Sequence, residues 1–260
     1  MRKYLELFIN GFDETITDKV KVENKPYIGY SLTDGKLAYT VVPTPEQPSL
    51  YEAVDLGLPS GLKWANMNVG ATSPEDAGMY FQWGDTVGYT KEQVEAGEKV
   101  FNWDTYFDTT DGGKTFNKYT QNKLTLLSED DAATVNMGSE WRMPTADEVY
   151  DLWYWTTPTF IDIQGNEFTQ EQAQNGAIAD GNLKCIRFTG SNGNSIFIPA
   201  AGVCYEAMLS AIDYCGYFWS SSLVEDFTMA GRGLTFNYEG GLNGSSWDRY
   251  YGLSVRGVKA

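Results

Sequence analysis

The sequence contains no histidine. That removes the side chain most often used as a general base or metal ligand near neutral pH. A Ser-His-Asp triad, a Cys-His pair and a His-ligated zinc site are therefore excluded. Cysteine is scarce: Cys185, Cys204 and Cys215 are the three in the chain. An odd number leaves at least one thiol unpaired, and scattered cysteines do not make a disulfide framework. A Cys204–Cys215 bridge across a loop and free buried thiols both fit this spacing. Positive charge is also short, with 19 Lys and Arg against 35 Asp and Glu and a net charge of −16. A phosphate backbone or an anionic membrane would be repelled, so neither nucleic acid nor membrane is an expected partner. No run approaches the ~20 apolar residues of a membrane span. Met1-Arg2-Lys3 leads into an apolar run that Glu6 interrupts, with no secretory core or cleavage site behind it.

Aromatic residues are abundant instead, at 15%, with 8 Trp and 17 Tyr. Such rings either fill irregular cores or supply contact surface at low entropic cost. Residues 1–42 read as short strands, around Tyr4 to Ile9, Val20 to Val22, Tyr27 to Ser31 and Leu37 to Val42, with an Asp34-Gly35 hairpin turn. A segment this short rarely carries its own core, so docking or oligomerisation is expected of it. Residues 43–49 hold three prolines and read as an extended spacer. Residues 50–260 then read as strands first, helices in the middle and strands last. Thr90 with Gln93 and Thr145 with Glu148 have capping-box spacing, and a third helix is expected to start at Ser128 and stop at Gly138. Strand pairs are expected at 54–58 with 62–67 and at 183–188 with 195–199, and single strands at 79–83, 217–222, 233–238 and 253–259. That order predicts an α+β domain with long irregular loops at 201–216, 223–232 and 239–251.

Catalytic patterns are lacking. The paired acids Glu129 to Asp131 and Asp147-Glu148 sit where helix starts favour negative charge. Ser220-Ser221-Ser222 has no nucleophile elbow around it, and Gly231-Arg232-Gly233 is too short for a phosphate loop. Asp108, Asp111, Gly112 and Gly113 form an acidic loop without EF-hand spacing. Neither a catalytic residue nor a cofactor or metal is therefore expected. The terminal loops have the composition of a paratope, Tyr, Ser, Gly, Asn and Asp. Their candidate binding residues are Tyr205, Asp213, Tyr214, Tyr217, Glu225, Asp226, Phe227, Tyr238, Glu239, Asn243, Ser245, Ser246, Trp247, Asp248, Tyr250 and Tyr251. Trp219 and Phe236 read as core.

Six blocks carry a resemblance over residues 53–260. They are Val54 to Ala65, Asn68 to Ala71, Tyr80 to Asp85, Trp141 to Thr145, Phe218 to Ser222 and Gly252 to Val258. The chain resembles bacterial and phage proteins of the C-type lectin fold, in the subgroup of the formylglycine-generating enzyme. Its final portion looks like the target proteins of diversity-generating retroelements. The resemblance implies a fixed scaffold that includes Trp219, Ser220, Phe236, Arg249, Gly252, Val255 and Arg256, with the terminal aromatic and polar residues as the displayed surface. The enzymatic relatives need a close cysteine pair, which this chain lacks, and the calcium-binding Glu-Pro-Asn and Gln-Pro-Asp tripeptides of lectins do not occur. The expected function is non-enzymatic: a phage tail adhesin carried on the virion, contacting a bacterial surface protein or glycan, with a trimer through the N-terminal segment. A cell-surface or secreted binding domain of fixed specificity is the alternative.

Overall fold

A computed structural model describes residues 27–33, 36–42 and 50–260. The strands expected near Tyr4 and Val20, the Asp34-Gly35 turn and the proline-rich spacer lie outside the described residues. The chain divides into two compact units, Met1–Ser49 and Leu50–Ala260. In the first, β1 (Tyr27–Thr33) pairs antiparallel with β2 (Lys36–Val42), from Tyr27 opposite Val42 to Thr33 opposite Lys36. The two-residue connection is the length that hairpin twist favours.

The second unit corrects the α+β expectation. Among the described residues the structure is mostly β-sheet, at 36% strand against 14% helix, with four helices and no closed barrel. Three of those helices span one or two turns: α1 (Lys91–Glu95), α2 (Ala132–Met137) and α4 (Gln170–Gln174). Only α3 (Ala146–Trp155) is longer. The capping signals were real, but a cap starts a helix without setting its length. Strands in segments whose sequence reads as loop make up the difference.

The larger sheet runs in the order β14 (Leu242–Asp248), β13 (Ala230–Asn237), β12 (Cys215–Leu223), β15 (Leu253–Lys259), β4 (Lys63–Asn68), β3 (Ala53–Asp55), with β5 (Tyr80–Phe81) also paired to β15. Its strands pair antiparallel except β12 with β15, which run parallel at Phe218–Ser254 and Trp219–Val255. A four-stranded sheet has the order β7 (Glu167–Thr169), β6 (Thr157–Asp162), β8 (Leu183–Thr189), β9 (Ser195–Pro199). A short hairpin joins β10 (Val203–Tyr205) to β11 (Met208–Ser210). The expected third helix also shifts: Ser128–Asp130 is a single 3-10 turn, and Asp131 caps α2 by accepting the Thr134 N–H at 2.9 Å. Asp131 can do so because it also accepts the Met143 N–H, which locks it between two segments.

The main core lies where α3 and both sheets meet, with Trp64, Phe218, Leu234 and Phe236 from one sheet, Val149 and Leu152 from α3, and Phe160, Ile186 and Ile198 from the other. A second cluster gathers Trp83, Trp219, Tyr119, Met143 and Val255. Its two indoles are satisfied by backbone, Trp83 Nε1 donating to Ser220 O at 2.9 Å and Trp219 Nε1 to Phe81 O at 2.8 Å. Burial of such rings supplies most of the driving force, at about 25 cal/mol per Å².

The start of α3 is fixed electrostatically. Glu148 closes the capping box with Thr145 and accepts from Arg142 Nη1 and Nη2 at 2.7 and 2.6 Å. Burial pushes its pKa up, but the hydrogen bonds from Arg142 and Thr145 outweigh that, and the pKa falls below the ordinary 4.5. A depressed carboxylate pKa gives stability that is present above 4.5 and is lost as pH falls through the lower folded value. Glu148→Gln is expected to cost about 1 kcal/mol at pH 7. The gap between wild type and variant should close in urea unfolding as the pH drops below 4.5. A gap that persists at about pH 3, well below the ordinary carboxylate range, would mean that packing and not charge sets the loss.

Candidate ligand-display site

Opposed residues of an antiparallel pair project to the same side, and the side alternates along each strand. In β12, β13 and β14 the register sets Tyr217 opposite Thr235, and Thr235 opposite Asn243. Tyr217, Thr235, Asn243, Ser245 and Trp247 therefore share one face, and Leu234, Phe236 and Leu242 point to the core on the other. Thr235 Oγ1 donates to Ser245 Oγ at 2.7 Å, tying β13 to the edge strand β14.

From this face a row of rings continues around the sheet end. Tyr217 meets Trp247 edge-on at 4.9 Å, and Trp247 meets Tyr251 at 5.3 Å. Tyr251 stacks on Tyr250 at 4.6 Å and on Tyr205 at 5.4 Å. Tyr250 in turn meets Trp103 at 4.8 Å, and Trp103 meets Tyr106 and Phe116. The ring of Trp103 lies over the backbone at Gly113, whose φ is +84° and where a Cβ would fall 2.5 Å from the indole. Mutual edge and stacked contacts hold each ring in one rotamer, so little entropy remains to be lost on binding.

Arg249 anchors the row from behind. It is fully buried between Asp248 and Tyr250, with Nη1 donating to Asp108 at 3.1 Å and Nη2 to Tyr119 O at 2.7 Å. Its guanidinium lies 3.9 Å from the centre of the Phe116 ring and 5.2 Å from Trp83. Asp108 also accepts the N–H groups of Lys118 and Tyr119. Half of the acidic loop is thereby committed to structure. The other half, Asp111, accepts from Thr115, Lys114 and Thr109, and the Thr115 hydroxyl leads the interactions that hold its pKa down at about 2. Among the described residues no group of three metal-ligating side chains comes together.

The structure brings together only part of the expected surface. Tyr205, Tyr217, Trp247, Tyr250 and Tyr251 form the row, with Asn243 and Ser245 on the same strands. Asp248 lies beside it, half-buried, and burial raises its pKa. Glu225, Asp226 and Phe227 form an exposed turn held near the row by the Arg249 N–H to Met229 O bond. Tyr214, Tyr238 and Glu239 make a separate group, with the first two rings at 6.0 Å and burial raising the Tyr238 pKa ahead of its contact with Asp180. Asp213 belongs to a bend, its backbone bonded to Leu183 and Ala200 at φ +61°. Ser246 points to the opposite face of β14, beside Arg232.

Two rings of the row are more enclosed than loop residues would be. Tyr217 is 8% exposed, and Trp247 packs partly on the second core cluster. Trp103, Tyr106 and Phe116 are not among the expected site residues, although 101–107 shows the same mixture of aromatics with Asn and Asp. All three cysteines are free thiols, so the Cys204–Cys215 bridge is not formed. Burial pushes the Cys185 thiol up to about 12 and raises Cys204 and Cys215 as well, which leaves no reactive thiolate near neutral pH. No helix among the described residues is long and apolar enough to cross a membrane. Comparison with family models, curated proteins and solved structures finds no match.

Proposed function

We propose that the chain is a non-enzymatic ligand-display protein, a receptor-binding adhesin of a phage tail whose C-terminal face is diversified by a retroelement. The observation that carries this reading is the pre-ordered row Tyr217, Trp247, Tyr251, Tyr250 and Tyr205 at one end of a sheet, pinned by a buried ion pair. Rigid aromatics beside small polar residues suit recognition of a protein or a glycan on a bacterial surface. The resemblance of the last portion to retroelement target proteins supports diversification of this face. Trimerisation through Met1–Ser49 would multiply a modest affinity per site.

Tyr205 is the row's most exposed ring, at 39%. Tyr205→Ala in the full-length chain is expected to weaken binding to bacterial cells about tenfold or more, by fluorescence titration on a strain that the wild type labels. Its Tm should move by less than about 2 °C, as for an exposed position. Unchanged labelling of the cells would sink the display reading. Sequencing the DNA around the gene separates the two forms of it. A reverse transcriptase beside a near-copy of the terminal coding segment that differs at adenines is the expected result. Without them the diversification reading falls and a face of fixed specificity remains.

A further inference from the structure

The other side of β13 and β14 faces α3. There α3 stands off the sheet and leaves an open groove of about 480 Å³. Tyr150, Trp153 and Asp147 line its helical wall, and Arg232, Gly244 and Ser246 line its sheet floor. The volume lies in the range of small-ligand sites.

Two features of this groove stand without a partner. The first is Arg232. Among the described residues the other arginines all have partners: Arg142 has Glu148, Arg187 has Glu167, Arg249 has Asp108, and Arg256 has three oxygen acceptors. The Arg232 guanidinium alone makes no ion pair or hydrogen bond, in a chain with a net charge of −16. The second is the aromatic surface of α3. Tyr150 is about half exposed and meets the Trp153 ring edge-on at 5.2 Å. Gly244 adds no side chain to the floor and nothing lies within 4 Å of where its Cβ would be, so a flat ligand can reach the strand.

We infer that this groove binds a carboxylate-bearing sugar, with its ring against Tyr150 and Trp153 and its carboxylate on Arg232. Guanidinium and carboxylate match as a two-pronged hydrogen-bonded pair, and an apolar sugar face packs on an aromatic ring. The Asp147 carboxylate and the Ser246 hydroxyl accept from the sugar hydroxyls. The site is independent of the display reading, because Tyr217, Trp247 and Tyr205 lie elsewhere on the fold.

The test is ligand-observed NMR titration of the full-length chain with glucuronic acid, galacturonic acid and N-acetylneuraminic acid, against glucose and acetate as controls. At least one sugar acid should bind about tenfold more tightly than both glucose and acetate, since it alone offers the ring and the charge together. Arg232→Met should abolish that preference over glucose, and Tyr150→Ala should abolish that over acetate. Both positions are exposed at the surface, so both variants should melt like the wild type. Tyr205→Ala should leave sugar binding unchanged, which separates failure here from failure of the display site. The inference is overturned if no sugar acid binds, if glucose or acetate binds as well, or if Arg232→Met retains the preference.

Discussion

Arg256→Met is expected to lower the stability of the 50–260 unit by about 3–5 kcal/mol. Arg256 is fully buried, and no carboxylate pairs with it among the described residues. Its Nε donates to Asn68 Oδ1 at 2.9 Å, Nη1 to Ala65 O at 2.8 Å and Nη2 to Phe197 O at 2.6 Å. One guanidinium thus ties β15 and β4 of the larger sheet to β9 of the smaller. Methionine fills similar space but leaves three oxygens without donors, at about 1–3 kcal/mol each. Release of the desolvated charge offsets part of that loss. The fall in Tm should be roughly 6–20 °C for a unit of this size. Arg256→Lys should lie between, because an ammonium keeps the charge but cannot span three acceptors set by a planar fork. A Met variant within about 1 kcal/mol of wild type would show that the oxygens are rehydrated at little cost.

The second large effect is expected at Arg249, and it should appear in two readouts. Arg249→Met strands the buried Asp108 carboxylate and the Tyr119 carbonyl, for a cost of about 3–5 kcal/mol. Asp108→Asn is expected to cost less, because the amide oxygen still accepts from the Tyr119 N–H and Arg249 Nη1, and only the Lys118 N–H, which bonds to the other oxygen, loses its acceptor. The double variant should recover part of the loss, with a coupling of about 1–3 kcal/mol in a thermodynamic cycle. The second readout is ligand binding. Arg249 sits between Asp248 and Tyr250, and Phe116 packs on both its guanidinium and Trp103. Loosening this anchor frees the Trp103–Tyr250 contact, so binding by the aromatic row should weaken more than ring exposure alone explains. If stability falls and cell binding stays at the wild-type level, the anchor supports the fold and not the display face.

Burial also limits what an alanine substitution at Trp247 can report. Trp247 contacts Tyr217 and Tyr251 and packs on a core cluster, so replacing it by alanine removes core as well as surface. Tyr205 separates the two effects better.

Local chemistry determined a good deal of this protein. The Thr90–Gln93 and Thr145–Glu148 boxes start helices where their spacing says they must, since each pair satisfies its own turn's free N–H groups. The β8–β9 hairpin forms on either side of Gly190 to Asn194, and Trp219 and Phe236 are fully buried. The absence of histidine and the scarcity of cation follow from composition alone. A third box, Thr169 with Gln172, is equally plain in the sequence, though not among the expected helix starts; it opens α4. Other features could come only from tertiary structure. The Leu-Asn-Gly-Ser-Ser-Trp-Asp stretch at 242–248 has little strand propensity and becomes β14 because β13 offers it a complete register. The balance tipped from α+β to mostly β for that reason, as pairing recruited segments that no local signal marks. The aromatic row has the same origin. Composition named its Tyr and Trp residues, but only folding set Trp103 against Tyr250 and joined Arg249 to Asp108, 141 residues away. Contacts at such separations are chosen by the packing of the whole sheet, and no short window of sequence contains them.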